Sequence, residues 1–369
     1  MGPTKEPAAG PRKNYFCLQA LRALAAALVV VHHSISMWSQ WLMHRTGGPR
    51  WTNGAAGVDI FFVISGFVMA ISVPGLAGKP NRAGVFLRRR FTRIVPLYWA
   101  AITLRVVQLK LRPTTALNSI LTPWRVIASY LFIPARNGNG EMFPIVVVGW
   151  TLNYEVFFYL LFAAALSLNI SAISFLTPVL TAFAIIGTLR PATWPDFTAL
   201  ASTIVIEFLF GVILAELATR RKLPGRTLGA LLLAGGFLVL MLIPEAHAPW
   251  GFLAWGLPAA AVVTGAVALE EWVGARLPKW LLEAGDASYA LYLSHTFILP
   301  YLINALARMS MTGAPALALA IVVGLAISFP AAIVVHRYVE LPLLKALKNK
   351  GERGADSSVP LATAIESPQ

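Results

Sequence analysis

Arg22 and His33 stand eleven residues apart inside the apolar stretch Leu18 to Trp38. At 100° per residue this spacing returns the two side chains to within about 20° of one helix face, roughly 16 Å apart along the axis. Ionisable groups inside a spanning helix are costly and mark function by default. One face thus offers a cation low and an imidazole high, and a neutral imidazole can take the proton of an attacking hydroxyl or carry a group on its nitrogen. His32 points about 100° off that face and is an internal control. The plainer alternative is that Arg22 snorkels to the headgroups and the histidines reach the opposite ones.

Other residues fit the same chemistry. The run G-A-A-G-V-D-I-F-F-V-I-S-G-F, residues 54–67, places Asp59 and Ser65 among small residues that allow close helix packing. In F-L-R-R-R-F-T-R-I-V-P, Arg89, Arg90 and Arg93 fall at i, i+1 and i+4, on one side of a helix. Guanidinium forks suit phosphate oxygens, although such runs also serve as orientation signals and headgroup anchors. G-W-T-L-N-Y-E-V-F-F-Y carries Trp150 and, well inside a span, Glu155, a carboxylate that must be protonated or paired there. Glu155 is expected to orient the His33 ring, as a carboxylate does in hydrolase triads. In S-Y-A-L-Y-L-S-H, Ser288, Tyr292 and His295 follow i, i+4, i+7 spacing and form one polar stripe. Counting about 1.5 Å per residue, His33 lies roughly 22 Å from the inner boundary, Ser65 and His295 about 18 Å, and Glu155 about 17 Å, so four spans contribute to one slab.

The elements that must position these groups are helices. The chain of 369 residues is 57% hydrophobic and 12% charged, where a soluble domain has about a quarter charged residues. This composition gives an all-α, polytopic integral membrane protein and turns the net charge of +14 into an orientation signal rather than a footprint for nucleic acid. The single Cys17 excludes an intrachain disulfide and a cysteine metal cluster, and no metal is expected. Hydropathy and breakers predict about ten transmembrane helices, at 18–38, 57–73, 94–111, 146–168, 171–189, 197–218, 227–244, 250–270, 283–303 and 313–336. With both termini cytoplasmic, 20 basic residues fall in inner segments and 9 at or near outer ones, as the positive-inside rule requires. Residues 1–17 are expected to be a cytoplasmic segment, 18–342 the transmembrane domain, and 343–369 a disordered cytoplasmic tail. The apolar piece Val126 to Pro134 is too short to cross and is expected at the interface.

In their order and spacing these motifs, joined by L-F-I-P before the fourth span and E-L-P at Glu340 to Pro342, resemble the acyltransferase 3 family of polytopic membrane acyltransferases, and within it the branch serving rhizobial-type exopolysaccharide production. The resemblance runs from about Tyr15 to Pro342, with Ala23 where the family often has Gly. It implies transfer of an acyl group, most often acetyl, from cytoplasmic acyl-CoA to a glycan hydroxyl at the bacterial inner membrane. It also implies that His33 is the essential histidine, with Arg22 as its helix-mate, and that Arg90 and Arg93 are the essential inner arginines; these two, helped by Arg89, are expected to bind the coenzyme A phosphates through their forks. Glu155 completes the catalytic set, and Asp59, Ser65, Trp150, Tyr292 and His295 are expected to line the pocket or meet the acceptor. Acetyl-CoA or another acyl-CoA is a co-substrate, and no permanently bound cofactor is expected. The expected partners are acyl-CoA, a glycan or lipid-linked oligosaccharide, membrane lipids and the polysaccharide-synthesis machinery. The rival reading is a transporter or flippase of lipid-linked sugars, since midplane polar residues also mark transport paths.

Overall fold

Backbone in hydrocarbon must satisfy its own hydrogen bonds, so long apolar runs have little choice but to coil. In the computed structural model, which describes residues 15–39, 51–76, 78–111, 121–191, 193–244, 250–309, 311 and 313–347, every regular element among the described residues is helical. In chain order these are α1 (Phe16–Met37), α2 (Gly57–Ile71), α3 (Arg82–Leu111), the short α4 (Pro123–Tyr130), α5 (Trp150–Ser167), α6 (Ala172–Leu189), α7 (Val205–Thr219), α8 (Arg226–Leu242), α9 (Leu257–Val273), the short α10 (Lys279–Asp286), α11 (Ser288–Arg308) and α12 (Gly313–Val335). Among the described residues, eight helical stretches are long and apolar enough to cross a membrane. The protein is a multi-pass membrane protein. Helices α7 and α8 fall where the sixth and seventh spans are expected, but at 15 and 17 residues they are shorter than the roughly 20 of a spanning helix.

Two expected boundaries move. The third span is expected from 94, yet α3 begins at Arg82, so one continuous helix carries the arginine run, as its spacing predicts, into the span. Arginine is a good helix former and its stem packs along apolar surface, so loss of hydropathy does not end a helix. The ninth expected span breaks at Ala287 into α10 and α11. The turn between α5 and α6 is as tight as expected: Asn169 takes φ +56°, Ser171 caps α6 by accepting from the Ser174 N–H at 3.1 Å, and Arg82 donates to Asn169. Helix α4 holds part of the apolar piece 126–134, with Thr122 as its N-cap. Residues 1–14 and 348–369, which include most of the expected terminal segments, lie outside the described residues.

The packing puts small residues where helices cross closely. A Cβ on Gly66 of α2 would come within 2.1 Å of the Phe208 carbonyl oxygen on α7, and one on Gly211 of α7 within 2.1 Å of the Val63 oxygen on α2. A Cβ on Gly285 of α10 would meet the Gln19 carbonyl of α1 at 2.1 Å, and this approach carries Ser288 onto α1. Between these contacts an aromatic core forms, with Phe208 at 4.5 Å from Phe158 and 4.6 Å from Phe62, and Phe86 stacked on Phe162 at 5.0 Å. Large apolar side chains such as Leu104, Leu160, Leu189, Leu231 and Leu242 face outward, as a lipid-facing surface requires. The first N–H groups of α1 are capped from far along the chain: the Glu270 carboxylate accepts from Phe16 and Cys17 at 2.9 and 2.8 Å.

Candidate active site

Helices α3 and α5 lie side by side, with Tyr98 over Gly149 and Phe86 on Phe162. This pairing sets Arg90 and Arg93 of α3 level with Glu155 and Tyr159 of α5. Helix α1 adds Arg22, α2 adds Ser65, and α11 adds Ser288 and Tyr292. Together they line a cavity of about 130 Å³.

The polar groups of this cavity are held in definite directions. Glu155 accepts from Ser65 Oγ at 3.2 Å and from Tyr159 OH at 2.5 Å, both on Oε1. Arg22 donates from Nε and Nη2 to Ser288 Oγ at 3.2 and 2.9 Å. Arg90 donates to the Val68 carbonyl at 3.2 Å and to Ser72 Oγ at 3.0 Å. Arg93 is exposed and faces the same cavity. Arg22 is close enough to feel the charges of both Arg93 and Glu155. One small volume therefore holds three cations and one carboxylate, a set suited to an anionic ligand with a proton acceptor beside it.

His33 is not part of that lining. Its ring lies 5.0 Å, centroid to centroid, from His295, which is fully buried and 6.2 Å from Tyr292. His295 thus neighbours Tyr292, a residue of the cavity lining, and His33 neighbours His295. Tyr292 donates to the Val148 carbonyl at 2.9 Å and pairs with Thr151 Oγ1 at 2.9 Å, so its ring is fixed from α5. His33 Nδ1 lies 2.9 Å from the Val29 carbonyl. A carbonyl only accepts, so Nδ1 carries the proton of the neutral ring and Nε2 carries the lone pair. His295 has the same arrangement, with Nδ1 on the Leu291 carbonyl at 2.9 Å.

One sequence expectation is corrected here. Glu155 does not orient His33: a carbonyl one turn back on α1 does so, and the carboxylate turns to Ser65 and Tyr159 instead. The four groups expected at one depth fall into two pairs, Ser65 with Glu155 and His33 with His295, a division that depth along a helix does not carry. Of the other expected lining residues, Ser65 and Tyr292 face the cavity, whereas Arg89 lies outside its lining. Trp150 lines a second cavity, with Asn153 and Tyr154. Asp59 and His295 line neither cavity. Asp59 precedes Ser65 by six residues, which turns it about 120° away on α2, and its carboxyl hydrogen-bonds Glu207 of α7. His32 holds the Thr52 carbonyl at 3.1 Å, pinning the loop before α2.

The sequence profile of a family described as an acyltransferase domain, acyltransferase 3, matches residues 15–335, and these bounds enclose every residue of both cavities. The chain belongs to the acyltransferase 3 family. It is 34% identical over 308 residues to the exopolysaccharide production protein ExoZ of Rhizobium meliloti (strain 1021), covering 81% of this chain and 92% of that protein. It is 26% identical over 356 residues to the acyltransferase MdmB of Streptomyces mycarofaciens, covering 86% and 87%. Nodulation protein 10 of Rhizobium leguminosarum bv. viciae is 32% identical over 185 residues, 43% of this chain and 46% of that one. No solved structure matches the chain. As a member of the acyltransferase 3 family, this is a membrane acyltransferase.

Sequence reading missed four groups of this acyltransferase's cavity or its supports: Thr151, Tyr159, Tyr289 and Ser72. Tyr159 had a signal, since it follows Glu155 at i+4 in the same motif. Ser72 had none, because it meets Arg90 only through the packing of α2 on α3.

Proposed function

We propose that the protein is an O-acyltransferase of the bacterial inner membrane that takes an acyl group, acetyl in the simplest case, from cytoplasmic acyl-CoA and moves it to a hydroxyl of an exopolysaccharide or its lipid-linked precursor. The observation that carries this reading is the gathering of Arg22, Arg90, Arg93 and Glu155 around one cavity, with Glu155 accepting from two hydroxyls. Arg90 and Arg93 would bind coenzyme A phosphates through their forks, with Arg22 adding charge. Their end of the bundle is cytoplasmic, with both termini on the same side. The kinship with ExoZ, named for exopolysaccharide production, and with the acyltransferase MdmB supports the acceptor class and the reaction.

In the reaction, Nε2 of His33 takes the proton of the acceptor hydroxyl as its oxygen attacks the thioester carbon. The carbon–sulfur bond then breaks, and the proton returns to the departing coenzyme A sulfur. A second reading rests on one observation, that Glu155 rather than His33 lines the arginine cavity. There His33 Nε2 first takes the acyl group as coenzyme A leaves as the thiolate; Glu155 then takes the proton of the acceptor hydroxyl as its oxygen displaces the imidazole, and that proton passes to the coenzyme A sulfur. A trapped acyl adduct on His33 selects this two-step route, and its absence during turnover selects direct attack.

The overall reading is tested by mass spectrometry of the surface polysaccharide from cells with and without the protein. Loss of base-labile ester groups with the protein is the expected result. Unchanged esterification overturns the reading and leaves the flippase alternative.

A further inference from the structure

The arginine cavity runs along α2, and its chemistry changes from one end to the other. Val68, whose carbonyl accepts from Arg90, and Ser65, which donates to Glu155, are followed toward the start of the helix by Phe62, Phe61 and Val58. At 1.5 Å per residue the step from Val68 to Phe61 is about 10 Å. About two helical turns from the guanidinium groups, the cavity therefore becomes apolar, and Leu152 completes that end from α5. A phosphate held on the arginines sends the rest of a coenzyme A thioester along this axis, so the acyl chain arrives among the aromatic rings. The apolar end also lies nearest the imidazoles: Tyr292 is 6.3 Å from Phe61 and 6.2 Å from His295, which meets His33.

Phe62 stands at the margin of that end. It is turned roughly 60° around α2 from Ser65. Its side chain is 3% exposed, and its ring is held among three others, Phe208 at 4.6 Å, Tyr154 at 6.3 Å and Trp150 at 6.4 Å. Trp150 and Tyr154 belong to the wall of the second cavity, of about 300 Å³. Phe62 thus lines the first cavity and packs against the wall of the second.

The second cavity has no charged lining residue, and its polar groups are buried or engaged. The Asn153 amide oxygen is buried, and the Tyr154 hydroxyl donates to the Ala199 carbonyl at 2.7 Å and is hydrogen-bonded with Ser202. Pro134, Met142, Phe143 and Trp150 give it an apolar surface, the kind that hydrocarbon leaves water to meet.

We propose that Phe62 sets the length of the acyl group, holding the donor to acetyl or a chain close to that size, and that the apolar cavity behind it is the space a longer chain enters when the ring is removed. The inference rests on the acyl-CoA reading above for the donor, and on the position of Phe62 between the two cavities for the limit. A chain that reaches the Phe62 ring has to displace it from three aromatic neighbours. An apolar pocket discriminates by about 10–200-fold for a single methylene that it does or does not fit, so one ring is enough to exclude a longer chain.

The test uses permeabilised membranes that hold the full chain and the cell's own glycan acceptor. Acetyl-CoA or hexanoyl-CoA, radiolabelled in the acyl group, is supplied, and base-labile label in the polysaccharide is counted. Wild type is expected to favour acetyl over hexanoyl in kcat/KM by about tenfold or more. In Phe62→Ala the ratio of hexanoyl to acetyl should rise by about tenfold or more, the lower bound for one methylene. Adding Ala199→Phe, which fills the second cavity from another wall, should return the ratio toward its wild-type value. Phe62→Leu keeps an apolar side chain against Phe208, should move the ratio in the same direction, and carries the test if Phe62→Ala does not fold. A ratio unmoved in the Phe62 variants overturns the proposal, as does equal use of the two donors by wild type. A rise that Ala199→Phe leaves in place overturns the role of the second cavity. Acetyl transfer by wild type with an unmoved ratio in the variants leaves the acyltransferase reading standing and removes this inference alone. Transfer of neither acyl group by wild type removes both.

Discussion

The two faces of α5 present opposite chemistry from a single helix. Thr151, Glu155 and Tyr159 face a cavity with three arginines, where the polar groups of Glu155, Arg22 and Arg90 are already engaged by neighbouring hydroxyls and carbonyls. Trp150, Asn153 and Tyr154 line a neutral, aromatic cavity. The difference teaches that the motif around Glu155 encodes two cavity linings at helical spacing, which a reading of the motif as one string conceals.

The comparison can be broken by substitution. The largest effect is expected for His33→Ala, which should abolish acyl transfer in membranes while His32→Ala keeps most of it, because the two rings have different partners. Equal loss in both would reduce the histidines to packing. Glu155→Gln separates the two routes: where Glu155 is the base it should lower turnover by about 10²–10⁴, the range for a proton-transferring group, and where His33 is the base it should leave turnover nearly unchanged, with the KM for acyl-CoA retained in both. Paired Arg90→Lys and Arg93→Lys should raise that KM by about tenfold or more, since each charged hydrogen bond contributes about 1.5–3 kcal/mol. Arg89→Lys, outside the cavity lining, should leave it within about twofold. A KM unmoved by the double change would make the run an anchor to headgroups and nothing more. The smallest effect on chemistry belongs to Gly66→Ala. It forces the Phe208 carbonyl away and should cost about 1–3 kcal/mol of stability, read as a lower thermal midpoint in detergent with KM values retained in the folded fraction.

How much of this was legible in the sequence follows from the kind of information each feature needs. The helices were legible because hydropathy and breakers are local, and the boundary errors fall where helix continues through charge, as at Arg82 to Arg93. Glu155, Arg90 and Arg93 could be singled out because a charge in a spanning helix stands out against its neighbours. Depth gave Ser65 and Glu155 nearly the same level, and they are hydrogen-bonded at 3.2 Å. The same argument grouped His33 with Glu155, although these groups have different partners. Direction around the bundle depends on contacts such as Gly285 on Gln19, or Glu270 capping the start of α1 from more than 250 residues away. Nothing local announces either.

Topology sharpens the assignment of ends. Reporter fusions after Leu223 and Gly351 are expected to read cytoplasm, and fusions near Gly48 and Asn137 the opposite side. A cytoplasmic signal at Asn137 would put both cavities of α5 within reach of the same compartment, against this assignment.

The central claim is that the arginine cavity takes acyl-CoA and that the protein moves its acyl group to a glycan hydroxyl. The direct measurement supplies acetyl-labelled acetyl-CoA to purified protein in nanodiscs with the polysaccharide or its lipid-linked precursor. Free coenzyme A and base-labile glycan label are followed together in wild type, His33→Ala and the Arg90→Lys, Arg93→Lys pair. The account predicts equal appearance of the two products in wild type, almost none in His33→Ala, and a rate in the arginine pair restored by raising acetyl-CoA. Label that stays on coenzyme A in wild type at every concentration, while the protein carries the lipid-linked glycan across the bilayer, would contradict it.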